Sequence, residues 1–393
     1  MTDTIGPWTK GFWQPEPVST ADWLAGEHHL FDGSLSWPVL TVDTAAVDHN
    51  IATMAAFADE HGLRLAPHGK TSMAPALYRR QLAAGAWGIT LASANQALAA
   101  HAAGVDRILI ANEVLDPSAL RWIARTEAEV LLQVDSEAGI AALAAAADPD
   151  RPVPVLIELG HPAGRTGARD LPALRDLARR VHATEGLRLA GVTAYEGGLP
   201  GATEVRAFLG LLREAGTAVG ELIDGDVIVS AGGSAWFDLV AEVLGGMPGA
   251  TVLLRSGSTV THDHGIYAER TPFTRIPGEL RPALRVWAQV TSRPEPGLAI
   301  LGAGKRDLPY DEGLPIPLRV HRDGLPAELD GWTLTRTNDQ HAYLESAGGA
   351  TELAVGDVVE LGLSHPCTSF DKWRAVPVID DRQRVVEVLT TLF

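Results

Sequence analysis

The chain has 393 residues, 46% of them hydrophobic and 21% charged, enough apolar material for a large core and too much for a disordered chain. A formal net charge of −17 opposes phosphodiester backbones and makes nucleic acid a poor partner. A single cysteine, Cys367, excludes an intrachain disulfide. With no basic-then-apolar leader and no run of about 18 apolar residues, the expectation is a soluble, cytoplasmic protein without a membrane partner.

The first 39 residues, rich in Trp and Pro, carry no regular register and are expected to pack against the C-terminal part. From residue 40 to about 256, short β-branched runs alternate with alanine-rich stretches of helical period. The strand runs are 63–67, 88–93, 107–112, 129–134, 153–159, 189–195, 226–230 and 251–255, and eight such runs are what a (β/α)8 TIM barrel requires. Helices read at 75–84, 94–103, 171–183 and 204–219, several of the helical stretches ending at a glycine such as Gly85, Gly104 or Gly186. Beyond about 275 the helices stop and strand-like runs take over at 283–291, 298–301, 332–335, 357–361 and 384–390, separated by Pro, Gly and Asp. The expected architecture is α/β: a TIM barrel over 40–272, and a β-domain made of 1–39 plus 273–393, with the crossing at 272–282.

Lys70 falls just past the first strand run, at the C-terminal face where barrel enzymes keep their active sites. A lysine beside an apolar pocket is a nucleophile able to condense with an aldehyde; in water it is a solvated loop residue. Two glycine-rich turns, Ser230-Ala231-Gly232-Gly233-Ser234 and Arg255-Ser256-Gly257-Ser258-Thr259, follow the seventh and eighth runs, the usual phosphate position of a barrel. His365-Pro366-Cys367 pairs an imidazole with a thiolate, donors that suit zinc, although an isolated pair also reads as packing.

The run Pro67-His68-Gly69-Lys70-Thr71, then Gln81-Leu82 and Ala84-Gly85-Ala86-Trp87-Gly88-Ile89-Thr90, resembles the cofactor-lysine region of the D-threonine aldolase and D-serine dehydratase family. These are fold-type III enzymes of pyridoxal 5'-phosphate (PLP), related to alanine racemase. The resemblance implies that Lys70 carries PLP as a Schiff base with His68 beside it, and that Gly232, Gly233, Ser234, Gly257 and Ser258 hold the phosphate. Ala194-Tyr195-Glu196-Gly197-Gly198 is similar to the family's Tyr-Asp-Gly element, which implies Tyr195 next to the cofactor ring. Gly160-His161-Pro162-Ala163-Gly164-Arg165-Thr166-Gly167 resembles its Arg-x-Gly loop, which implies that Arg165 orients the cofactor. The family's dehydratases hold zinc with His-x-Cys and its aldolases hold a metal such as manganese with His-x-Asp; this chain has the cysteine form, implying His365 and Cys367 as ligands. It departs from the family at Ser72-Met73, where relatives often have His-Lys, and at Gln340, where an acid is commoner before His341.

The implied reaction is PLP- and metal-dependent dehydration of a β-hydroxy D-amino acid such as D-serine or D-threonine to a 2-oxo acid and ammonia. A D-threonine-type aldolase, releasing glycine and an aldehyde, uses the same parts, and a non-catalytic PLP-binding protein is the alternative of another class. A racemase would leave His365 and Cys367 without a purpose. Fold-type III relatives complete their sites from a second subunit, so a homodimer is implied, with the polar segment 305–313 either at its rim or an exposed turn.

Overall fold

A strand followed by a helix returns to the same sheet by a right-handed crossover, so repeated strand–helix units generate parallel neighbours. The computed structural model, which describes residues 4–346, 348 and 350–393, carries this repetition to closure. Its strands are β1 (Arg64–Leu65), β2 (Ile89–Leu91), β3 (Arg107–Ile110), β4 (Glu129–Val134), β5 (Val153–Leu159), β6 (Leu187–Ala194), β7 (Val227–Ala231) and β8 (Ala250–Leu254). Each pairs in parallel along an eight-stranded sheet. β8 returns to β1 through Leu253–Arg64 and Leu254–Leu65, and a bridge between His68 and Thr90 closes the ring. All eight strand runs read from the sequence are present, with ends moved by a few residues.

Several helices start or stop where capping chemistry places them. Ser93, Asp116, Ser136 and Asp170 accept first-turn N–H groups of the helices Ala94–Ala102, Pro117–Arg125, Glu137–Ala144 and Leu171–His182. Gly85, Gly104 and Gly186 take positive φ just past helix ends.

The strands are buried on both faces, as parallel barrels demand. Outward residues pack against the helices in the main core, and a small inner plug is made by Ala66, Leu109, Leu131, Leu156, Ala190 and Leu253. Because a strand returns to the same face every second residue, the positions just above this plug are His68, Ala111, Gln133, Glu158 and Arg255. The floor of the barrel mouth is therefore largely polar.

The second domain is antiparallel. Its strands are β9 (Leu284–Glu295), β10 (Leu298–Leu301), β11 (Ile316–Arg322), β12 (Leu325–Glu328), β13 (Trp332–Thr337), β14 (Ala342–Ser346), β15 (Val358–Gly362), β16 (Ala375–Ile379) and β17 (Val385–Thr390). The main path runs β12-β11-β15-β9-β10-β14-β13. An earlier strand, Val39–Asp43, pairs antiparallel with β9 and parallel with β16, so the boundary drawn at residue 40 falls inside a strand of this domain. N-terminal Ile5, Phe12, Trp23, Leu30 and Leu35 share a core cluster with Trp287, Val358 and Val385. The loop after β15 lies against the segment after β8, with His264 N donating to Leu363 O at 2.9 Å and Ile266 N to Ser364 O at 2.9 Å. These bonds bring the end of β15 to the barrel mouth. No helix among the described residues is long and apolar enough to cross a membrane.

Candidate active site

Lys70 sits in a 3-10 turn, Gly69–Thr71, directly after β1. The turn needs glycine at its first position: a Cβ on Gly69 would lie 2.6 Å from Tyr78 Cε1 and 2.8 Å from Ile89 Cγ2. Tyr78 is fully buried and donates its hydroxyl to Gly69 O at 3.0 Å, locking the turn from behind. The exposed Lys70 side chain lines a cavity of about 390 Å³ at the barrel mouth, a size that suits a small-molecule cofactor.

All the expected site residues except His365 line this cavity. His68 presents an Nδ1 shut away from solvent and without a partner. Burial, then the nearby cations of Lys70 and Arg255, hold its imidazole well below the ordinary range, so the ring is neutral. Arg165 and Tyr195, expected as separate contacts, form one unit, with the guanidinium 4.4 Å from the ring centroid. Burial and then the Glu196 charge raise the Tyr195 hydroxyl.

The two glycine turns meet. Ser258 Oγ donates to Ser234 Oγ at 2.6 Å and Ser256 Oγ to Gly233 O at 3.1 Å. Gly257 passes so close to the His68 backbone that a Cβ would lie 2.4 Å from His68 O. One expectation changes here. The fully buried Glu196 already accepts the N–H groups of Gly232 at 3.1 Å and of Gly233 at 2.6 Å. These two glycines shape the loop, and their N–H groups are already engaged.

Sequence reading missed the cavity floor. Arg255, 7% exposed, donates to Thr193 Oγ1 at 2.9 Å, Ser230 Oγ at 2.6 Å and Ala194 O at 2.7 Å. Gln133 Nε2 donates to Glu158 Oε2 at 2.8 Å, and burial pushes the Glu158 carboxyl up. A usable signal was present, since each lies two residues beyond an inner-plug leucine: Leu131, Leu156 and Leu253. Farther out, Glu113 lies against Asp135, and burial followed by the Asp135 charge pushes its carboxyl up to about 7.

The β-domain closes the cavity with Cys367, whose Sγ is 3.9 Å from Thr71 Oγ1, the residue after Lys70. His365 stands behind it, with Nδ1 2.8 Å from Asp311 Oδ2. Burial lowers the His365 pKa, but the Cys367 sulfur and the Asp311 carboxylate more than offset this and carry it up to about 9. The Tyr267 ring is 5.9 Å from the His365 ring, and burial, then the Cys367 charge, pushes its hydroxyl above the usual range. Segment 305–313 thus reaches the metal-type pair through Asp311. Gln340 bonds to Asp307 at 3.4 Å and lies outside the cavity lining. Among the described residues no three His, Cys, Asp or Glu side chains converge as a metal cage. Imidazole and thiolate alone suit an open zinc site that substrate and solvent would complete.

Comparison with known proteins agrees with this division. Residues 42–240 match the family described as alanine racemase, N-terminal domain, and residues 283–379 match the putative serine dehydratase domain. The chain is 28% identical over 390 residues to a D-threonine aldolase of Arthrobacter sp, covering 95% of this chain and 94% of that protein. The solved D-threonine aldolase from Filomicrobium marinum superposes with a TM-score of 0.79 at 26% identity, covering 91% of this chain and 95% of that one. A D-threo-3-hydroxyaspartate dehydratase, solved as a cysteine-to-alanine mutant in the metal-free form, gives 0.75 at 26% identity, covering 93% and 99%.

Proposed function

The chain belongs to the alanine racemase N-terminal domain family, in its D-threonine aldolase and D-serine dehydratase-like branch, and from that premise we propose that it is a PLP- and metal-dependent lyase of a β-hydroxy D-amino acid. Dehydration to a 2-oxo acid and ammonia is the reading preferred here, performed by a cytoplasmic homodimer. The observation that carries it is the approach of Thr71 and Cys367, which brings the lysine turn and the sulfur into the lining of one cavity.

Bound PLP supplies an electron sink that acidifies the Cα proton of an amino acid. Lys70 would anchor that cofactor and, as a free amine, would serve as the base that takes the proton at Cα. Neutral His68 and the Arg165–Tyr195 pair would hold the ring, and Ser234, Gly257 and Ser258 the phosphate; all of them line the cavity. Zinc held by His365 and Cys367 would supply a Lewis acid for the β-hydroxyl. The thiolate favours zinc over a harder ion, and in the resemblance noted above it accompanies dehydration. A metal-free form prepared for a relative implies that a metal normally belongs to that protein.

The aldolase reading keeps a specific support in the Arthrobacter relative, and product analysis separates the two. Purified protein is incubated with D-serine, D-threonine and D-threo-3-hydroxyaspartate, and 2-oxo acid is measured against glycine plus aldehyde. We expect 2-oxo acid and ammonia in equal amounts. Glycine as the main product transfers the assignment to the aldolase, and no turnover on a PLP-loaded, zinc-loaded protein removes the lyase reading.

A further inference from the structure

We propose that Asp311 is the positioning residue of the metal site, fixing His365 as the tautomer with hydrogen on Nδ1 and leaving Nε2 to ligate beside Cys367. The assignment rests on the reading of His365 and Cys367 as metal ligands and extends it to a residue 54 positions earlier in the chain.

A neutral imidazole has one N–H and one lone pair, and only the bare nitrogen can bind a metal. Asp311 Oδ2 stands 2.8 Å from Nδ1 and can only accept there, so the hydrogen belongs on Nδ1. Asp311 is not a spare third ligand: its Oδ1 accepts from Thr368 Oγ1 at 2.9 Å, so both oxygens face the loop that carries the pair. With only two donors among the described residues, each one's orientation weighs more than in a closed cage.

The carboxylate is itself held from both sides. Lys10 Nζ donates to Arg306 O at 2.7 Å and pairs with Asp307 Oδ1 at 2.7 Å, while Ser364 Oγ donates to Gly313 O at 2.7 Å. Lys10 also reaches Lys372 O at 3.5 Å, so one ammonium steadies the Asp311 segment and the far end of the metal loop together.

Zinc affinity, measured by competition with a chromophoric chelator, tests this in wild type, Asp311→Ala, Asp311→Asn and His365→Ala, with PLP content and the unfolding midpoint followed in parallel. Asp311→Ala is expected to weaken zinc about 10–100-fold. Asp311→Asn keeps an oxygen that accepts from Nδ1 and is expected to recover most of that loss, a rescue that a merely space-filling role would not give. The Asp311 side chain is 37% exposed, so its removal spares the core; should the alanine variant still unfold, Asp311→Leu, matched in bulk but unable to accept, replaces it. Wild type that binds zinc alongside an Asp311→Ala variant of equal affinity overturns the assignment alone. Wild type that takes up no zinc, or His365→Ala that binds as tightly, overturns the metal reading and this assignment with it.

Discussion

In the barrel each strand from β2 to β8 bonds to the next in sequence, for example β4 to β5, β5 to β6 and β7 to β8. In the β-domain β11 pairs with β15, and β9 pairs with Val39–Asp43 from the other end of the chain. The consequence shows in the cavity. The barrel supplies its floor from Gln133 and Glu158 on parallel strands and from Arg255, one residue past β8, which is bonded to Thr193 of β6 and Ser230 of β7. The β-domain supplies the roof from a single loop whose shape depends on another loop. Local repetition yields a rigid base for chemistry, whereas long-range pairing delivers a few donors that need bracing.

The largest expected effect separates these two contributions. Lys70→Ala should lower turnover by about 10³-fold or more and abolish the pyridoxyl adduct trapped by borohydride at that position. Cys367→Ala should also lose turnover yet keep the adduct, because the floor binds the cofactor without the roof. Peptide mapping of both reduced proteins decides this, and an adduct at another lysine in wild type would refute the role of Lys70.

Next is the rigidity of the floor. Arg255→Met takes the donor from Thr193 Oγ1 and Ala194 O in a buried layer, leaves Ser230 Oγ only its bond to Leu253 O, and leaves the nearby Glu158 and Glu196 short of a cation. Roughly 3 kcal/mol of stability should go, read by urea unfolding. Arg322→Met in the β-domain, where the arginine is 58% exposed against Asp357, should cost much less. Equal losses would erase the distinction between floor and roof.

The smallest effect is a pH dependence on the barrel side. Glu113 is raised from 4.5 to about 7 in the folded protein, so its contribution to stability is fully present below pH 4.5 and lost as pH climbs through 7. Glu113→Gln carries no titrating group there, and its advantage over wild type should grow across that window by fewer than about 5 °C in Tm. A difference that stays flat from pH 4.5 to 8 would contradict it.

Legibility in the sequence followed the same divide. All eight barrel strands could be read, because each is a short apolar run followed by a helical stretch or a glycine turn, and four of the helices open at a capping Ser93, Asp116, Ser136 or Asp170. In the β-domain, Ile316–Arg322, Leu325–Glu328, Ala342–Ser346 and Ala375–Ile379 were not read as strands. Pro317, Pro326 and Pro377 interrupt three of them, and pairing supplies what the local pattern lacks, between Ile316–Arg322 and both Leu325–Glu328 and β15, and between Ala375–Ile379 and both β17 and Val39–Asp43. Lys70 and the His365–Cys367 pair were visible because a motif carried them. Asp311 was not, since nothing local ties it to His365, and the occupation of the Gly232 and Gly233 N–H groups by Glu196 appears only once strands six and seven lie side by side.

Lys70 and Thr71 are joined by one peptide bond, and Thr71 touches the sulfur carried by the other domain. Together with the backbone bonds from His264 to Leu363 and from Ile266 to Ser364, this contact fixes how far the lysine turn stands from the sulfur. On the proposed reading, a substrate would have to match that fixed separation, with its Cα at one end and its hydroxyl at the other.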